Sequence, residues 1–275
     1  MIVDAFPFFQ ELELLKVRLD YLGEFVDKFI ISESEIDFAG NAKNVLLTPK
    51  TINQLPFCDK ITVVHNKFST LQTKFLFPIT KKIKWRKPLW AIQLKQRNAI
   101  LPVLQNIKSN GVFMFGDLDE FPDRSEINKI ISLISQKPNQ VYVIKQTPLV
   151  YNLRTGCGVE GWMGTIACSI ENGKKSTPNK LRKKRFSTKI AGKGWHFSYF
   201  GDSDQIQNKV RSIAPVEKHF NLDDPSLVDI SARIKSRVNP FLNLTFDQEE
   251  ISLNDYPREL ISSFVKFMPN SLSNI

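Results

Sequence analysis

One run, Val112-Phe113-Met114-Phe115-Gly116-Asp117-Leu118-Asp119-Glu120-Phe121-Pro122, constrains this chain more than any other. Consecutive apolar side chains without polar alternation read as a strand covered on both faces, the pattern of a parallel sheet between helices. The run then breaks into three carboxylates. Ligands in open α/β sheets bind just past the carboxyl ends of such strands. In extended chain Asp117 and Asp119 point to one side, with Leu118 turned away. Two carboxylates side by side repel each other unless a cation lies between them, and hard oxygen ligands suit Mg²⁺ or Mn²⁺. The bland alternative is a solvated acidic turn.

The segments before this run supply the rest of a parallel sheet. Residues 2–6 read as a strand, and Leu12, Leu15, Leu19 and Leu22 recur at helical spacing over 9–22. Residues 25–34 and 60–65 read as two further strands, so strand, helix, strand repeats as in βαβ units. A helix is expected over 89–108 with Pro102 as a local defect. Its apolar stripe Trp90, Leu94, Leu101 and Leu104 also carries Arg97, which on a packed face needs a carboxylate partner or an anionic ligand. Beyond the acids, Ile127, Ile130, Ile131 and Ile134 mark another helix, with Asp123 or Ser125 as cap. Residues 141–144 read as the next strand, and 151–179 as an irregular stretch shaping an acceptor pocket.

The segment Gly192–Gly201 alternates so that Trp195, Phe197 and Tyr199 share one face, and His196, Ser198 and Phe200 the other. His196 is one of three histidines. A lone histidine in an apolar strand is ordinarily core, but a two-carboxylate site needs a further ligand, and His196 is the candidate. A helix capped by Asp202 or Ser203 follows, and another is expected near 257–267. The basic run 180–185 reads as solvated surface, with Arg182 the member chosen for holding phosphate.

Bulk properties narrow the partners. The 38 basic against 28 acidic residues leave the chain at +10, which suits a polyanion: a nucleotide diphosphate, nucleic acid or an anionic membrane surface. Cys58, Cys157 and Cys168 match neither a disulfide framework nor a zinc site, so a reducing compartment is expected. Neither a leader pattern nor an apolar stretch of about 20 residues is seen. The expected location is the cytoplasm, with peripheral contact at a membrane surface allowed by the charge. A single domain is expected over 1–245, with a nucleotide-binding half over 1–122, an acceptor-side half over 123–245, and a helical tail over 246–275.

Four ordered blocks give the chain a resemblance. They are Asp4-Ala5-Phe6-Pro7-Phe8 with Glu11-Leu12-Glu13-Leu14-Leu15 and Arg18-Leu19, running into Val26–Ser34; then Gln96-Arg97-Asn98-Ala99-Ile100; Gly116–Pro122; and Gly194–Tyr199. Together they resemble glycosyltransferase family 17. The resemblance implies a GT-A fold, with a central, mostly parallel sheet flanked by helices. It also implies a nucleotide-sugar donor, UDP-GlcNAc foremost, a glycan or glycoconjugate acceptor, and a divalent metal (Mn²⁺ or Mg²⁺) at the Asp-x-Asp. On this reading Asp117, Asp119 and His196 hold metal, and Glu33, Arg97, Asp117 and Arg182 hold the donor. A carboxylate takes the acceptor proton: Glu217 is favoured, with Glu160, Asp202 and Glu120 as alternatives and Asp119 beside them. Where the family tends to place a histidine before the glutamate, Ala214-Pro215-Val216-Glu217 has a proline. Two rivals stay open. One is a metal-dependent nucleic-acid enzyme, although no specific nucleic-acid motif is present. The other is a nucleotide-sugar-binding protein without turnover.

Overall fold

The computed structural model describes residues 1–69, 71–76, 79, 87–157, 161–213 and 251–272. Among the described residues eight strands form one sheet: β1 (Ile2–Phe8), β2 (Lys28–Ser34), β3 (Ile61–Asn66), β4 (Val112–Phe115), β5 (Glu120–Pro122), β6 (Tyr142–Val150), β7 (Trp162–Ser169) and β8 (Lys189–Ser198). Their order is β3-β2-β1-β4-β7-β6-β8-β5. The first four strands are mutually parallel, β7 runs antiparallel to both β4 and β6, β8 is parallel to β6, and β5 is antiparallel to β8. The α/β expectation holds, with a mixed sheet.

The central strands are buried on both faces, as their unbroken apolar runs require. Phe6, Phe8, Val112 and Met114 pack on one side, against the helix Leu12–Leu22 and the helix Ile127–Gln136. Val3, Ala5, Phe113 and Phe115 pack on the other with Ile100, Leu104, Ile166 and Cys168. The helix Arg258–Phe267 joins the first side: Phe264 meets Phe197 edge to face at 5.0 Å, and Ser263 donates to Asp20 at 2.7 Å. Among the described residues, no helix is long and apolar enough to cross a membrane.

Several expectations are corrected. The helix expected over 89–108 divides into Lys87–Asn98 and Leu101–Gln105, with Pro102 in the first turn of the second, where its missing N–H is not needed. Leu89, Ile92 and Gln96 face inward, whereas Trp90 and Leu94 are each 36% exposed. Gln96 reaches the carbonyls of Phe8 and Ser32, both at 2.8 Å, tying this helix to β1 and β2. The stretch 151–179 contains β7 and a short helix, Ile170–Lys174. Tyr199 adopts the left-handed region at φ 56°, which breaks the alternation after Ser198. Phe200 therefore packs on Phe197 in the core, at 5.1 Å between ring centroids.

Candidate functional site

The sheet's order reverses beside β1: β2 lies on one side of it and β4 on the other, and a crevice opens past their carboxyl ends. It is a cavity of about 860 Å³, lined from β1 and its extension by Phe8, Phe9 and Glu11, from the turn after β4 by Asp117 and Asp119, and from β8 by His196 and Ser198. Trp90, Leu94 and Arg97 line it from the helix Lys87–Asn98, so this part of the expected apolar stripe is a cavity wall, whereas Leu104 is core.

The acidic segment is a turn, not extended chain: Glu120 N–H donates to the Asp117 carbonyl at 3.0 Å. Gly116 permits it. A Cβ there would lie 2.4 Å from Thr165 Oγ1 and 2.8 Å from Glu120 Oε2, closer than any side chain tolerates. Beneath the turn, Arg18 is fully buried, pairs bidentately with Asp4 at 2.8 Å, and donates from Nη1 to the carbonyls of Leu118 (3.0 Å) and Glu120 (2.7 Å).

The three acids have separate partners. Asp117 accepts from Arg97 Nη2 at 3.1 Å on both oxygens and from Arg182 Nη2 at 2.7 Å. Burial alone raises a carboxyl pKa, but here the two guanidinium groups, Arg182 first, outweigh it and hold Asp117 below its ordinary range. Asp119 pairs with Lys209 Nζ at 2.9 Å and lies 3.5 Å from His196 Nε2. Burial again raises, yet Lys209 and then His196 bring Asp119 well below the carboxylate range. Lys209, on the helix Ser203–Ile213, also pairs with Glu11 at 2.9 Å; despite burial, Asp119 and Glu11 push its pKa well above the ordinary lysine value.

Glu120 is fully buried, and its oxygens accept from Arg182 at 2.7 and 2.5 Å, from Trp162 Nε1 at 2.6 Å and from the Asp117 N–H at 3.0 Å. A carboxylate so engaged has no place left for an acceptor's proton, which corrects its expected catalytic role. Arg182, 4% exposed, is locked between Asp117 and Glu120, and these partners outweigh burial and hold it firmly charged. It was the member of the run 180–185 expected to hold phosphate; it lines the cavity, but its guanidinium is spent on Asp117 and Glu120 and steadies the acids. Arg185 is the cation in the wall: its guanidinium lies 5.0 Å from the Trp162 ring and 4.7 Å from the Phe186 ring. Burial, and then the neighbouring Arg182, lower its pKa to about 10, against the opposing pull of Glu120 and Asp117.

Glu33 is also corrected. It was expected to meet base or ribose, but it is fully buried and its oxygens accept the N–H groups of Leu46 (2.8 Å) and Leu47 (2.9 Å) and Lys43 Nζ (3.1 Å). It folds the loop after β2, which carries Phe38 to the cavity. Asp202 is exposed and accepts from the Gln205 N–H at 2.8 Å, the expected N-cap. Glu217 and Glu160 lie outside the described residues.

The expected metal donors are partly assembled. His196 and Asp119 adjoin, with His196 stacked on Trp162 at 4.9 Å and near Ser198 Oγ at 3.1 Å, while Asp117 is turned toward two arginines. Among the described residues no three His, Cys, Asp or Glu side chains converge as a metal cage. One carboxylate and one imidazole still fit Mn²⁺ or Mg²⁺, because such ions are commonly held by one or two protein ligands plus substrate phosphates and water.

Lys209, Glu11 and Arg185 were not singled out in the sequence as site residues. A lysine between the buried Ile206 and Val210 was the available signal.

Comparison with solved structures gives low overall similarity. Glucosyl-3-phosphoglycerate synthase from Mycobacterium tuberculosis, solved with Mn²⁺, uridine-diphosphate-glucose and phosphoglyceric acid, is 14% identical, with a TM-score of 0.38 and 78% of each chain covered. GalNAc-T7, solved with UDP, GalNAc and Mn²⁺, is 10% identical with a TM-score of 0.41, over 98% of this chain and 57% of that one. No curated protein matches the chain in sequence. The sequence pattern of glycosyltransferase family 17 matches residues 1–222. With that pattern over most of its length, the chain belongs to glycosyltransferase family 17.

Proposed function

We propose that this glycosyltransferase moves N-acetylglucosamine from UDP-GlcNAc to a hydroxyl of a glycan or glycoconjugate, with inversion, aided by a divalent cation at Asp119 and His196. The observation that carries the reading is the set of paired acids at the end of β4, inside a cavity of about 860 Å³ whose rim is cationic and aromatic. When bound, the cation supplies positive charge for the diphosphate. The chain's own groups do the rest. Arg97 and Arg185 offer guanidinium donors to the diphosphate, and charge-assisted bonds of this kind strengthen as the leaving group gains charge. Arg182 and Arg18 keep the acidic turn from moving while this happens. Phe9 and Phe38, stacked with centroids 6.0 Å apart, and Trp90 give flat apolar surfaces to base and sugar.

In the transfer, the acceptor oxygen bonds to the sugar's anomeric carbon and the bond from that carbon to the diphosphate breaks, its electron pair leaving with UDP. The hydroxyl proton passes to a carboxylate. Glu120 and Asp202 are spoken for by Arg182 and the helix cap; of the remaining candidates, Glu160 and Glu217, we assign Glu217, which follows the helix carrying Lys209 in sequence. The single domain over 1–245 with a helical tail remains part of the proposal. So does a cytoplasmic location.

Calorimetry with UDP and Mn²⁺ tests the site. Asp119→Ala is expected to abolish Mn²⁺-dependent UDP binding while the thermal unfolding transition persists; unchanged binding removes the assignment. A donor panel of UDP-GlcNAc, UDP-glucose, UDP-galactose and GDP-mannose, scored by nucleotide release, tests the sugar. Release from another donor in preference to UDP-GlcNAc overturns that part. Binding without release in the presence of any acceptor supports a non-catalytic binder.

A further inference from the structure

The cation already seated at Asp119 is Lys209. Its Nζ lies 2.9 Å from Asp119 Oδ2 and 2.9 Å from Glu11 Oε1, and the side chain is 13% exposed. The ammonium therefore bridges the turn after β4 and the residue leading into the helix Leu12–Leu22. It also lies 5.4 Å from the centroid of the Tyr199 ring, which the left-handed backbone turns into the cavity. Its helix is anchored by Ile206 and Val210, each 1% exposed, so the lysine is aimed by packing and is not a surface side chain that strayed inward.

This position conflicts with an ion on the same carboxylate. A divalent cation between Asp119 and His196 would use the carboxylate whose Oδ1 faces the imidazole and whose Oδ2 Lys209 already holds, and two neighbouring positive centres with one carboxylate between them repel strongly in a partly buried site. Asp117 offers no relief because Arg97 and Arg182 already occupy it. An arriving diphosphate changes the balance: it brings negative charge and oxygens able to coordinate the ion and to accept hydrogen bonds from a displaced ammonium. We propose that Lys209 is a resident counter-ion that competes with divalent metal for Asp119, so that metal binds weakly until the nucleoside diphosphate takes over the ammonium. The proposal rests on the reading that metal binds at Asp119. It adds a dependence of metal on nucleotide and a residue to enforce it.

Linkage makes this measurable, because an ion and a nucleotide that help each other do so reciprocally. Mn²⁺ binding to the full chain is followed by calorimetry and by the paramagnetic resonance of free Mn²⁺, without and with UDP. For the native chain, UDP is expected to tighten Mn²⁺ binding by about tenfold or more, within the usual range of such couplings. Lys209→Met keeps the length and removes the charge, so it should tighten Mn²⁺ binding without UDP by about the same factor and shrink the effect of UDP. Lys209→Arg retains the charge and should keep the native pattern. Equal Mn²⁺ affinity of the native chain and Lys209→Met without UDP overturns the proposal while leaving the metal reading intact. If Lys209→Met does not fold, Glu11→Gln decides: concentrating the ammonium on Asp119 should weaken nucleotide-free Mn²⁺ binding, and no change overturns the idea. If Mn²⁺ binds no variant, even with UDP, both the metal reading and this proposal fall.

Discussion

The turn Asp117–Glu120 is gripped from two sides by cations that do opposite jobs. Below it, Arg18 and Asp4 are both fully buried, and the guanidinium spends its donors on one carboxylate and on main-chain carbonyls of the turn. Above it, Arg97 and Lys209 bind the turn's side chains where they face the cavity, while the buried Arg182 locks Asp117 to Glu120 as a structural cation like Arg18. The lower cation fixes where the backbone goes and leaves no group for a ligand. The upper ones balance charge on groups that a ligand can reach, so their pairings can be exchanged. A buried ion pair is costly to break but adds little as a handle, whereas a half-open pair is weaker and can be used.

The largest effect should come from below. Arg18→Met removes the guanidinium but leaves Asp4 buried without its partner and several carbonyls without donors, so urea unfolding should show a loss of about 3–5 kcal/mol. Nucleotide binding should fall with it because the acidic turn loses its seat. A loss under about 1 kcal/mol would mean the turn holds its shape without Arg18 and would dissolve the contrast. From above, Arg97→Lys should cost little stability but weaken nucleotide binding by about 1–3 kcal/mol, since an ammonium lacks the guanidinium's planar fork. If binding is untouched while the unfolding midpoint drops, Arg97 belongs with Arg18 as a structural cation.

Much of the nucleotide-binding half was legible because burial on both faces writes itself as unbroken apolar runs, as in β1, β2 and β4. The site was legible as a set of residue types, and less so as geometry. Asp117 and Asp119 were read as extended, but Gly116 packs against Thr165 and a turn forms. β7 escaped notice because Gly164 and Cys168 blur a strand whose neighbours are long-range. Glu33 was misread because the end of a strand says nothing about the loop that returns over it. Arg18 was open to the argument applied to Arg97: it falls three residues after Leu15 and four before Leu22, inside the helix's apolar stripe. For Lys209 the place of a lysine between Ile206 and Val210 was a signal that it faces inward, but nothing in the sequence named Glu11 and Asp119 as its partners. Their meeting is made by elements far apart in sequence, and only the fold brings them together.

The smallest effect, in acid, separates the two sides of the turn once more. Asp119 has a folded-state pKa depressed below its unfolded value, with Lys209 and His196 overcoming the opposing effect of burial. Such a group contributes stability that is present above its unfolded pKa, about 3.9, and is lost as pH falls toward the folded value. Lys209 is shifted the other way, so its contribution is fully present below about 10 and is lost only as pH rises through its raised pKa. The pair is therefore intact across the neutral range. In metal-free buffer the stability of the native chain should be level between about pH 5 and 9 and decline below about 4. Asp119→Asn should lower the plateau and make that acid decline shallower, because one of the two depressed carboxylates of the turn is gone while Asp117, held by Arg182 and Arg97, still titrates. Urea titrations at a series of pH values read both quantities. An acid decline as steep in Asp119→Asn as in the native chain would place the acid-sensitive group elsewhere and leave the Asp119–Lys209 pair without measurable weight in the resting fold.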